Sequence, residues 1–111
     1  MTLNKAIRPG VPNRLDSFMP VKKARVISMN IAGDDEESIS MFSLSGGEDI
    51  SEEEYHSSEL YMVVSGEMEI TFEGQTVSLS AGDSLLISRG TLHALKAVTD
   101  LRYLEISIKE D

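Results

Sequence analysis

A chain of 111 residues that is 41% hydrophobic, 26% charged and free of cysteine reads as one globular domain burying roughly two-thirds of its unfolded surface, without disulfides, thiolate metal ligands or a cysteine nucleophile. Its net charge of −9 is split, with six basic and one acidic residue in 1–25 against four basic and eighteen acidic in 26–111, so the acidic body offers no Lys/Arg footprint and no nucleic-acid partner is expected. No apolar run approaches the ~18 residues of a membrane span, and Asn4, Lys5 and Arg8 interrupt the N-terminus where a signal peptide needs an apolar stretch; no membrane partner and a cytoplasmic location are expected.

Pro9, Gly10, Pro12 and Pro20 break any long helix or central strand, so residues 1–20 read as an extended N-terminal arm, with one helical turn near Asn13 to Phe18, ahead of a single barrel domain over 21–111. Ala24 to Ile31 alternates as a strand; Gly33, Asp34 and Asp35 turn the chain into a second strand, Ser38 to Ser45, and the two pair as a hairpin. After the polar, irregular segment Gly46 to Glu52, one strand is predicted from Glu53 to Val64. Period-two alternation puts Glu53, Tyr55, Ser57, Glu59, Tyr61 and Val63 on one face and Glu54, His56, Ser58, Leu60, Met62 and Val64 on the other.

Gly66 turns the chain at positive φ into a cleaner alternation, Met68, Ile70 and Phe72 against Glu67, Glu69, Thr71 and Glu73, and Gly74 returns it through Val77 and Leu79. Ser84 to Ser88 and Leu92 to Val98 follow as short strands. Leu101 to Ile108 closes, with Leu104, Ile106 and Ile108 on one face and Tyr103 and Glu105 on the other. Eight or more short strands and no convincing helix predict an all-β barrel or sandwich.

Two glycine-punctuated blocks carry a more specific signal. The first runs Gly47, five residues, Glu53, one residue, Tyr55, three residues, Glu59, six residues, Gly66; the second runs Gly82, five residues, Ser88, Arg89, Gly90, two residues, His93. This spacing resembles the cupin family, and the resemblance narrows the fold to a small jelly-roll (double-stranded β-helix) barrel. The stretch from Gly82 to Ala97 is similar to small single-domain cupins whose function is generally unassigned. In the complete family pattern three His and one Glu converge on a divalent metal inside the barrel. This chain has Glu53 and Tyr55 where the first block carries His, and only Glu59 and His93 match.

Those residues leave several readings open. Glu53, Glu59 and His93 compose a two-carboxylate, one-histidine metal set, which His56 joins if a one-residue bulge turns it inward; otherwise His56 is a surface imidazole. His93 is either a metal ligand or a buried imidazole hydrogen-bonded to Glu59 or to water. Tyr is a poor ligand for divalent metals, so the cofactor expectation is none, or a weakly bound divalent metal (Mn, Fe, Ni or Zn). Tyr55, Tyr61 and Tyr103 suit either the core or the wall of a small-molecule site, and Arg89 either holds an anionic ligand or is an exposed turn residue. The functional expectation is a small-molecule ligand, a small polar compound bound in the barrel beside a degenerate metal site, with no assignable reaction. The alternative is a metal-dependent oxygenase or isomerase acting on a small polar substrate. Exposed sheet edges and a proline-rich arm predict a homodimer.

Overall fold

A computed structural model describes residues 7–110. The order is α1 (Leu15–Phe18), β1 (Val26–Gly33), β2 (Ser38–Leu44), β3 (Asp49–Glu53), β4 (Ser58–Ser65), β5 (Glu67–Phe72), β6 (Gln75–Ser80), β7 (Ser84–Ile87), β8 (His93–Ala97) and β9 (Leu101–Ile108). The strands form two antiparallel sheets, β1-β2-β9-β4-β7 and β3-β8-β5-β6. The predicted jelly-roll barrel is therefore the fold. Among the described residues no helix is long and apolar enough to cross a membrane.

Between the sheets lies one core of Leu44, Tyr61, Val63, Met68, Ile70, Leu79, Ile87, Leu95, Ala97, Leu101 and Tyr103. The predicted β5–β6 hairpin is present, with Met68 against Leu79 and Ile70 against Val77. Its two-residue turn places both Glu73 (φ 48°) and Gly74 (φ 75°) at positive φ, the backbone that matches the twist of the flanking strands.

The single strand expected from Glu53 to Val64 is instead two. β3 pairs with β8 in one sheet and β4 with β9 and β7 in the other, so Glu54–Ser57 is the crossing between sheets. A polar run that alternates as evenly as a strand does not reveal that its backbone changes partners. The face assignment nevertheless survives: Glu59, Tyr61 and Val63 point inward opposite Ser107, Glu105 and Tyr103.

At one end of the barrel three further crossings meet. The Gly46 amide donates to Asp100 Oδ1 (2.9 Å), the Glu67 amide to Thr99 Oγ1 (3.0 Å) and the Val98 amide to the Glu67 carbonyl (3.0 Å). Gly66 sits among them at φ +86°, where a Cβ would lie 2.0 Å from the Asp100 carbonyl oxygen. No side chain fits there, and the backbone conformation is one that only glycine adopts readily.

The described part of the arm docks on the five-stranded sheet. Met19 is buried; its carbonyl accepts from Arg102 Nε (2.6 Å), and the Pro20 carbonyl accepts from Ser43 Oγ (2.7 Å). Residues 1–6, the first part of the predicted arm, lie outside the described residues.

Candidate ligand site

The barrel interior keeps a cavity of about 130 Å³ lined by Phe42, Ile50, Ser51, Glu53, Tyr55, Tyr61, His93, Leu95, Tyr103 and Glu105. Its residues come from both sheets. On β9 the period-two pleat that buries Tyr103 also turns Glu105 inward. On β3 the register slips between Ile50, paired with Leu95, and Glu53, paired with His93. Glu53 lies three positions after Ile50, so a regular strand would aim them to opposite faces; the bulge re-aims Glu53 to the inner face beside His93.

His93 is 3% exposed and both ring nitrogens are occupied. Nδ1 lies 2.8 Å from the Thr91 carbonyl, which only accepts, so Nδ1 carries a proton and donates. In the neutral ring Nε2 is then the acceptor, and the Tyr61 hydroxyl, 2.7 Å away, donates to it. Tyr61 also meets the Glu105 carboxyl.

Burial dominates the electrostatics. It raises the pKa of Glu105, against the lowering effect of the neighbouring Tyr61 hydroxyl. It raises Tyr61, Tyr103 and Tyr55 as well, Tyr55 further because its hydroxyl donates to the Glu53 carboxylate. The Tyr103 hydroxyl is fully buried and has no hydrogen-bond partner among the described residues. Every other polar group of the wall is engaged or within reach of solvent.

Glu59 opens elsewhere. It lines a neighbouring, more open depression with Asn30, Asp34, His56, Ser57 and Ser107, and Tyr55 and Glu105 border both spaces. Burial pushes the Glu59 pKa up to about 7, opposed by the Ser107 hydroxyl that donates to Oε2 at 2.7 Å. The four residues considered as metal donors are thus divided: Glu53 and His93 face the cavity, while Glu59 and His56 face the depression. His56 is exposed because the crossing frees residues 54–57 from strand alternation, and the bulge acts on Glu53 instead. Among the described residues no three His, Asp or Glu side chains stand where they could hold a metal ion. With His93 hydrogen-bonded at both nitrogens, Glu53 holding Tyr55 and Glu59 holding Ser107, the donor set does not fit the family's metal centre.

Of the predicted ligand-binding residues, Tyr55, Tyr61 and Tyr103 meet around the cavity and Arg89 does not. Arg89 is exposed and lies 3.8 Å from Glu110. Sequence reasoning did not nominate Glu105 or Phe42; the alternation that put Glu105 on the face of Tyr103 was the available signal. The partner of His93 was also different, Tyr61 and the Thr91 carbonyl rather than Glu59 or water.

A small jelly-roll barrel with a partly enclosed polar-aromatic pocket is the class these features define. The family model described as cupin domain matches residues 40–107, and the chain belongs to that family. A cupin superfamily protein from Desulfitobacterium hafniense is 33% identical, with a TM-score of 0.89 over 96% of this chain and 97% of that one. A conserved protein of unknown function from Streptococcus pyogenes is 22% identical, with a TM-score of 0.92 over 100% and 97%. A cupin 2 conserved barrel domain protein from Leptotrichia buccalis is 30% identical, with a TM-score of 0.86 over 93% of this chain and 50% of that one. No curated protein matches the chain.

Proposed function

We propose that this cupin binds a small polar molecule in its barrel cavity. The observation that carries the reading is the Tyr103 hydroxyl, fully buried in the cavity wall and without a hydrogen-bond partner among the described residues. A buried hydroxyl left unsatisfied costs about 1–3 kcal/mol, and a ligand or an ordered water that reached it would recover that cost. The test is an NMR titration with a set of small polar compounds, read at the His93 ring resonances, which report the Tyr61 contact. A ligand should move them, and Tyr103→Phe should weaken its binding. If no compound moves them, the reading fails.

The same proposal includes a divalent metal (Mn, Fe, Ni or Zn) held weakly or not at all. Support comes from the separation of Glu53 and His93 from Glu59 and His56. Elemental analysis should find well under one equivalent per chain; one tightly held metal, lost in both Glu59→Ala and His93→Ala, would overturn this part. A homodimer is proposed too. On the outer face of the five-stranded sheet, register aligns Leu60 with Leu86 and Ile106, and Met62 with Leu104, and Met62 (39% exposed) and Leu86 (52%) are left open to solvent. A contiguous apolar face of this kind is what a second copy would cover.

A further inference from the structure

The cavity's chemistry is one-sided. Among the described residues two carboxylates, Glu53 and Glu105, reach it and no Lys or Arg does. Its walls are aromatic on several sides. Phe42 and Tyr103 are stacked with centroids 5.1 Å apart and planes within 1°, Tyr61 tilts against Tyr103 at 5.9 Å, and Tyr55 and Tyr61 flank the His93 ring at 5.7 and 5.6 Å. Ring faces carry negative potential and attract cations, more strongly where water is excluded. The Tyr103 hydroxyl, unpartnered among the described residues, is buried in the same wall, and its oxygen can accept a hydrogen bond from a group that reaches it.

Each occupant class meets this wall differently. An anion would face two carboxylates with no counter-charge. An apolar molecule would leave Tyr103 unsatisfied and both carboxyl groups poorly solvated. A quaternary ammonium suits the rings yet offers no N–H to Glu105, Glu53 or Tyr103. A primary ammonium offers a donor to each of these acceptors, with its charge against the carboxylates, its three N–H groups toward Glu105, Glu53 and the Tyr103 oxygen, and its alkyl part against Ile50, Leu95 and the rings. About 130 Å³, at roughly 30 Å³ for each water-sized group, holds about four or five non-hydrogen atoms.

Resting on the reading of the cavity as a small-molecule site, we propose that its ligand is a small primary ammonium cation. The carboxylates supply the charge, the aromatic walls the desolvated surround, and Tyr103 the acceptor that fixes the head group. Burial without a counter-ion disfavours the charged form of Glu105, and an ammonium bound beside it reverses that disadvantage.

The experiment is an NMR titration of the full chain at pH 8 with n-propylammonium, tetramethylammonium, propan-1-ol and acetate as separate probes, followed at His93 and at the tyrosine rings. Propylammonium should bind at least about tenfold more tightly than each of the others. Glu105→Gln should weaken it by roughly 10- to 100-fold and Tyr103→Phe by roughly 3- to 10-fold, the range of a charged and a neutral hydrogen bond. Unchanged backbone spectra of the free variants establish that they are folded; if Glu105→Gln fails that check, Tyr103→Phe alone decides. Acetate or propan-1-ol binding in the cavity as tightly as propylammonium would overturn the cation while leaving the small-molecule site standing. Tetramethylammonium binding equally well would overturn the role of the N–H donors. Silence at the cavity resonances with all four probes would overturn the proposal.

Discussion

Gly66→Ala should destabilise the barrel far more than a positive-φ glycine elsewhere, and the structure sets the size of the difference. Gly66 (φ +86°) carries the chain from β4 in one sheet to β5 in the other, with the space of its missing Cβ 2.0 Å from the Asp100 carbonyl. A left-handed backbone on an alanine costs about 1–2 kcal/mol, and forcing the two crossings apart adds about 1–3 kcal/mol, as overpacking does. The expected loss is thus about 2–5 kcal/mol, or roughly 8–20 °C in Tm at about 4 °C per kcal/mol. Displacement would also strain the hydrogen bonds from the Gly46 amide to Asp100 and from the Glu67 amide to Thr99. Gly74 is the internal control, because its φ is +75° yet nothing lies within 4 Å of its Cβ position. Gly74→Ala should cost only the backbone part, about 1–2 kcal/mol. Urea unfolding of both variants measures the contrast, and a Gly66→Ala loss no larger than that of Gly74→Ala would refute the close-contact reasoning.

Two other outcomes are expected. Burial raises Glu59 from 4.5 to about 7 in the folded chain, so the folded state holds a proton that the unfolded state has lost, and stability should fall as pH rises from about 4.5 to 7 and then level off. Glu105, raised in the same direction by burial, adds to the decline. Tm measured across that window should fall less steeply in Glu59→Gln, which keeps an acceptor for Ser107; an identical slope would contradict the assignment. Deleting residues 1–20 removes the carbonyls that Arg102 and Ser43 engage and should weaken the dimer while the barrel still unfolds cooperatively. Light scattering that gave the 12.2 kDa monomer mass for the intact chain at micromolar concentration would exclude the homodimer.

How far the sequence spoke depended on where each interaction lies along the chain. The β5–β6 hairpin and the Gly66 turn are local, set by alternation and by glycine at a position that demands it, and both stood in the sequence. The all-β class and the two glycine-punctuated blocks pointed correctly to the jelly-roll barrel. The break at Glu54–Ser57 did not show, because Glu52, Glu53, Glu54, Ser57 and Ser58 suit a strand, a bulge or a crossing equally well. Nor did the contact between Tyr61 and His93, 32 residues apart, since nothing local to either residue specifies it. Glu105 was half legible: alternation gave its face, while only the pairing of β9 with β4 showed that this face was the interior and that Leu104 and Ile106 point outward.

The central claim is that the barrel cavity is a small-molecule site completed by its ligand. A crystallographic fragment screen against the full chain, at a resolution that distinguishes ordered water from organic density, tests it most directly. The account predicts a small polar fragment in the cavity, within hydrogen-bonding distance of the Tyr103 hydroxyl and against Glu105. Fragments found only on the outer surfaces, with water alone in the cavity or the Tyr103 hydroxyl bonded to a protein group, would contradict it.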